Sequence, residues 1–424
     1  MPSEKKLPNP YQSETGVDTR RRMLLGGVAG AVTAALLAGC KQKEAPATVA
    51  PVVVAEPEAP PATAPAPDVN IPSGMEALSA KEMGHARRLL AANISIDVHC
   101  HPGMFFFEGT EPEDPMLQKM ASMAGFQDRT VADMAAGGLS TALFATVADI
   151  RLIGAGKQGL FARREFEEGE AYQNHLRQLV TLNKMVESGL VMQARTPAEV
   201  IAAKQAGKTA AIFSCEGGDF LDENIERVEE AWQAGIRSIG LVHYHVNYMG
   251  DIQTSAPVHN GLTRFGKQAV AEMNRLGIIV DLAHATYMTS KDAVAASSQP
   301  VMLSHSFLAD DATQNPRLLT ADHALMVAET GGLIGAWPTG IGNPDFMSFI
   351  DRLLRLVDVV GVDHVGLGTD MDANYKPVFT NYRQMPYIPA ILKRRGMRDD
   401  EIIKVLGGNF MRVFAAVTGA GEKS

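Results

Sequence analysis

Two histidines separated by a single residue, His99 and His101, close a short apolar run. On a β-strand that spacing puts both imidazoles on one side, where they can share one cation. Taken alone, the pair also fits a hydrogen-bonded polar couple at a strand end. Glu216 lies in Ser214-Cys215-Glu216-Gly217-Gly218. The glycines let the backbone turn tightly, and a carboxylate there can bridge two metal ions about 3.5–4 Å apart; a helix-capping or ion-paired glutamate is the ordinary alternative. His284 and His305 each end a further apolar run. Two such imidazoles facing one carboxylate make a second cation site. His243 and His245 follow another run, and Asp370 follows the last.

These residues need elements that bring them together. Eight short apolar, β-branched runs alternate with amphipathic stretches: 94–98, 140–147, 210–215, 238–242, 278–283, 300–304, 333–337 and 364–368. Helix-like segments such as 225–234 and 265–276 follow them. Alternation of this kind is the pattern of βα repeats around a parallel sheet, and eight units predict a closed α/β barrel of the (β/α)8 TIM type. An open doubly wound sheet is the alternative, but no glycine-rich phosphate loop follows the first run. Residues 190–193 are a candidate ninth strand. In a parallel barrel all strand C-termini open on one face, and there the eleven histidines of this chain contribute His99, His101, His243, His284 and His305, beside Glu216 and Asp370.

The ordered motifs Glu216-Gly-Gly, the stretch from Asn274 to His284 (NRLGIIVDLAH), Ser304-His-Ser, Gly368-Thr-Asp-Met-Asp372 and Gly407-Gly-Asn-Phe-Met-Arg-Val-Phe414 resemble those of the membrane (renal) dipeptidase family. The resemblance runs from about residue 80 to 418. It implies a barrel with two Zn2+ ions bridged by Glu216, one also held by His99 and residue 101, the other by His284 and His305. It further implies that Asp370 carries a proton to the leaving amine, that His243 stabilises the oxyanion, and that Arg317 in Asn315-Pro316-Arg317 holds the substrate's terminal carboxylate. Where the family has an aspartate, this chain has His101, which removes one negative charge from the first metal position. Asp97 is the candidate to compensate as an outer acceptor. Two such ions lower the pKa of a bridging water toward ~7 and polarise a carbonyl, so the expected reaction is hydrolysis of short peptides. The same barrel acting as an N-acyl amino acid deacylase, lactonase or β-lactam hydrolase is one rival reading. A binding lipoprotein without activity is another.

The N-terminus points to export. Residues 20–22 are arginines that introduce an uncharged stretch ending in Leu37-Ala38-Gly39-Cys40. This reads as a twin-arginine signal and lipobox over 1–39, with Cys40 lipidated. Residues 40–74 are rich in Pro and Ala, as in a solvated tether, and 75–424 form the catalytic unit. The expected location is therefore periplasmic or membrane-tethered, with the membrane, a small peptide substrate and a second copy of the chain as partners. At 46% hydrophobic and 21% charged, the composition is that of a globular protein. The formal charge of −9 excludes a nucleic-acid binder. Beyond Cys40 only Cys100 and Cys215 remain, so no disulfide framework supports the fold.

Overall fold

A computed structural model of the chain describes residues 71–156, 159–311, 313 and 315–421. The signal, Cys40 and nearly all of the tether lie outside the described residues. Eight parallel strands close into a ring: β1 (Ile96–Cys100), β2 (Thr141–Val147), β3 (Ala210–Glu216), β4 (Ile236–Gly240), β5 (Ile279–Asp281), β6 (Met302–Ser306), β7 (Leu333–Ala336) and β8 (Val365–Leu367). Each pairs with its neighbour in chain order, and β1 pairs with β8 through Asp97 and Leu367. The ring replaces the open-sheet alternative with a TIM-type barrel. Its strands are buried along their whole length, which is why they read as continuous apolar runs rather than alternating ones.

Boundaries move by a few residues. β1 begins later than the apolar run suggests, and β4 ends at Gly240 rather than residue 242. The candidate ninth strand is two residues, Met192–Gln193, laid beside the start of β3 and outside the ring. An antiparallel hairpin, Ile153–Gly156 with Gly159–Ala162, follows β2; its four-residue, glycine-rich arms carry no periodicity to betray it.

The two ends of the barrel differ. Ile96, Val98, Leu143, Ile212, Ile279, Met302 and Leu333, all within the first three residues of their strands, pack against Phe410, Phe414 and Val417 of the last helix, Asn409–Gly421. That end is apolar and sealed. The strand C-termini carry the polar residues instead. Capping residues start the outer helices where the sequence supplies them: Thr196 and Glu199 form a reciprocal capping box, and Thr263 caps Arg264–Leu276, which Gly277 ends in the left-handed conformation.

Candidate active site

At the C-terminal ends of β1 and β3, His99, His101 and Glu216 converge. The Nε2 atoms of His99 and His101 are 3.1 Å apart and lie 3.4 Å from Glu216 Oε1 and Oε2 respectively. All three residues are buried. His101 Nδ1 donates to the Ala145 carbonyl at 2.8 Å, so Nε2 is the ring atom left to meet a positive charge. Burial opposes charging this imidazole, yet its contacts with Asp370 (3.3 Å) and Glu216 raise its pKa to about 10. The carboxylates thus demand a cation at that atom, and a proton or a metal ion can supply it.

A second pair meets Glu216 as well: His284 Nε2 lies 3.0 Å and His305 Nε2 3.5 Å from Oε1, the oxygen that also faces His99, with 3.2 Å between the two rings' nitrogens. His284 follows β5 with a positive φ of 69°, and its carbonyl accepts from Gln253 N, which fixes the unusual backbone. The Arg317 guanidinium reaches in from the loop after β6 and donates one Nη2 to both imidazoles at 3.0 Å. Two lone pairs therefore point at one place, and a cationic group already sits there. Burial first, then Arg317 for His284, and His99 followed by Arg317 for His305, keep both histidines well below their usual pKa and neutral. Glu216 is held charged instead: burial would raise its pKa, but His243, His99 and the hydrogen bonds from His101 and His284 hold it well below the usual carboxylate range.

The donor chemistry of both clusters suits metal ions. Each offers two imidazole nitrogens and one carboxylate oxygen within 4.8 Å of one another, all buried, and imidazole with carboxylate is an ordinary donor set for zinc. Gly217, at φ 87°, turns the chain directly after the shared glutamate; a Cβ there would stand 2.9 Å from Asp219 Oδ2 and 3.2 Å from the His243 side chain.

His243, in the loop beyond β4, brings Nε2 to 3.5 Å from Glu216 Oε2. Asp370, also in the left-handed region at φ 55°, is tied to β1 by a 2.8 Å bond from its N–H to the His99 carbonyl. One functional residue escaped the sequence reading. Asp149, fully buried after β2, accepts from His243 Nδ1 at 2.6 Å while its second oxygen accepts from the N–H groups of Tyr244 and His245 at 3.0 and 2.9 Å. A single aspartate in a loop has no spacing that would mark it.

Other expectations are corrected. His243 and His245 have the spacing of one strand face, but the strand ends before both, so period-2 alternation does not apply. His245 instead bonds Asp219 at 2.7 Å and Glu165 at 2.8 Å, and Tyr244 lines the cavity. Asp97 touches neither metal-site imidazole. It accepts from the His99 N–H, from Thr369 and from the Tyr382 hydroxyl, because a register shift between Asp97 and Cys100 breaks the alternation of β1. Cys100 and Cys215 are free, buried thiols.

Buried His and Glu side chains gathered at the strand C-termini of a parallel barrel define a barrel metallohydrolase. A family model of the membrane dipeptidases, peptidase family M19, matches residues 83–424, and the chain belongs to that family; it is a metal-dependent dipeptidase by class. It is 30% identical over 263 residues to dipeptidase verJ of Clonostachys rogersoniana, covering 60% of this chain and 68% of that protein. Against dipeptidase tcpJ of Claviceps purpurea it is 29% identical over 255 residues, 57% of this chain and 59% of that one. Among solved structures it resembles the probable dipeptidase PvdM of Pseudomonas aeruginosa, with a TM-score of 0.65 at 20% identity, over 80% of this chain and 99% of that one. A metallopeptidase from Rhodobacter sphaeroides, liganded with a phosphinate mimic of the dipeptide L-Ala-D-Ala, gives 0.65 at 20%, over 77% and 99%. The two likenesses establish the fold.

Proposed function

We propose that the chain is a binuclear zinc dipeptidase that hydrolyses the peptide bond of short peptides. In this reading His99, His101 and Glu216 hold one ion and Glu216, His284 and His305 the other. The observation that carries it is Glu216 standing between two pairs of imidazole nitrogens, each pair 3.1–3.2 Å apart. The dipeptide mimic bound by the Rhodobacter sphaeroides relative supports the substrate class. Bound zinc supplies a water ionised near neutral pH and a Lewis acid for the carbonyl.

The chain's own residues do the rest. With Nδ1 committed to Asp149, His243 turns Nε2 toward the reacting centre, where it donates to a carbonyl oxygen gaining charge. Asp370, beside His101 and buried with its side chain 12% exposed, is placed to take a proton and pass it to the leaving amine. Arg317 grips the terminal carboxylate with a planar fork of donors, a role that moves its guanidinium off His284 and His305. The aspartate-to-histidine change at residue 101 keeps a ligating atom while lowering the charge of the first position.

The test is elemental analysis of the full chain in detergent, with release of amino acids from a dipeptide panel. About two zinc per chain and chelator-sensitive cleavage are expected. One ion per chain with turnover of N-acyl amino acids far above any dipeptide would overturn the reading in favour of a deacylase.

The export signal and Cys40 support a second part of the proposal, a periplasmic protein held to a membrane by lipid. Cys40→Ser is expected to release it into the soluble fraction. Retention of that variant in the membrane would rule out the lipid as the anchor.

A further inference from the structure

The cavity over the two clusters has two unlike walls. On the side of His284 and His305 stands Arg317, its guanidinium 5.4 Å from the centre of the Trp337 ring. On the side of the first cluster the wall is apolar. Phe106 stands edge-on to His101, with ring centres 5.2 Å apart, and Phe107, Leu117, Met120, Ile150 and Leu160 continue the surface. Phe106, Phe107, Leu117 and Ile150 are each 3% exposed and belong to one packed cluster, with Met120 and Leu160 half-buried against it. Four separate pieces of chain build this wall: the 3-10 segment Pro102–Phe107, the helix Pro115–Ala121, the turn after β2 and the hairpin arm Gly159–Ala162. Beyond the metal-site and catalytic groups and Arg317, the described residues lining the cavity carry no charged side chain.

With the carboxylate on Arg317, as in the reading above, chain length sets which part of a substrate meets which wall. A dipeptide whose carboxylate lies on Arg317 has its scissile carbonyl about one residue length, ~3.5 Å, further on, over Glu216. Its amino-terminal residue then lies on the side of the first cluster. We propose that the protein selects dipeptides with a bulky apolar amino-terminal side chain, which this wall receives. The inference rests on the dipeptidase reading above. An aliphatic or aromatic side chain leaves water for apolar surface, and a single methylene in such a pocket is worth about tenfold or more in kcat/KM. An ammonium or carboxylate side chain would lose its hydration with no partner on the wall.

The test compares kcat/KM of the zinc-loaded full chain on Phe-Ala, Leu-Ala, Gly-Ala, Lys-Ala and Asp-Ala. Phe-Ala and Leu-Ala are expected to exceed Gly-Ala by about tenfold or more, with Lys-Ala and Asp-Ala below it. Leu160 sits half-buried on the hairpin, where substitution spares the barrel. Leu160→Ala is expected to lower the Phe-Ala to Gly-Ala ratio, and Leu160→Lys to raise Asp-Ala relative to Phe-Ala. Cleavage of all five dipeptides at similar rates, or both ratios unmoved in variants of unchanged melting temperature, would overturn the apolar subsite and leave the dipeptidase standing. Failure to cleave any dipeptide with zinc bound would overturn the dipeptidase reading, and this inference with it.

Discussion

At the scale of single residues, Asp149 shows how a site is held by groups that do no chemistry. Its carboxylate meets three donors, the His243 ring and two successive backbone N–H groups. An asparagine cannot accept from all of them, because one end of its side chain is a donor. Asp149→Asn is therefore expected to leave metal content and KM nearly unchanged and to lower kcat by about 10- to 100-fold, as loss of an orienting partner does. Equal rises in KM with kcat preserved would assign His243 to ground-state binding instead. The residues of the two clusters were legible because imidazoles at the ends of apolar runs are conspicuous. Arg317 had only the family resemblance to recommend it, yet it lies against both second-cluster imidazoles. Asp149 had no signal at all, since its partner is fixed by the fold and not by sequence distance.

At the scale of elements, glycine placement decides how closely strands can approach. A Cβ on Gly368 would lie 1.7 Å from the Ser304 carbonyl oxygen, a backbone atom that cannot step aside. Gly368 directly follows β8, two residues before Asp370, and Ser304 precedes His305, so that contact joins two parts of the site. Gly368→Ala is expected to destabilise the protein by about 1–3 kcal/mol through overpacking, visible as a lower denaturation midpoint, and to depress activity by displacing Asp370. Unchanged stability and activity would mean that β8 can slide outward at no cost. All eight strands were readable from their apolar runs, since burial on both faces leaves little room for polar residues. Their ends were less so: β1 starts two residues after its apolar run does and β4 stops two before, because Ile94, Leu241 and Val242 are apolar residues that flank the strands without forming part of them. The hairpin after β2 was invisible because short, glycine-rich arms have no hydrophobic period.

At the scale of the whole molecule, buried histidines outside the site bear on acid stability. His175 stacks on Phe220 at 4.1 Å and is fully enclosed; burial alone lowers its pKa from 6.5 to about 3. Above pH 6.5 both folded and unfolded chains hold it neutral, and it contributes no pH dependence. Below that, the unfolded chain binds a proton that the folded one refuses, so stability falls by up to about 1.4 kcal/mol per pH unit until the folded-state pKa is reached. His175→Phe is expected to flatten the slope of urea-unfolding free energy between pH 6.5 and 4 by about one proton. An unaltered slope would show that His175 is protonated in the folded protein.

The ring closes only when β1 meets β8, the first and last strands to leave the ribosome, and the Asp370 N–H that caps β1 belongs to the late end. A nascent chain interrupted before β8 therefore has His99 and His101 in place with no closed barrel around them. Partial chains should be dead rather than weak, and folding is dominated by long-range pairing, which is slow. Synthesis must finish before catalysis can begin.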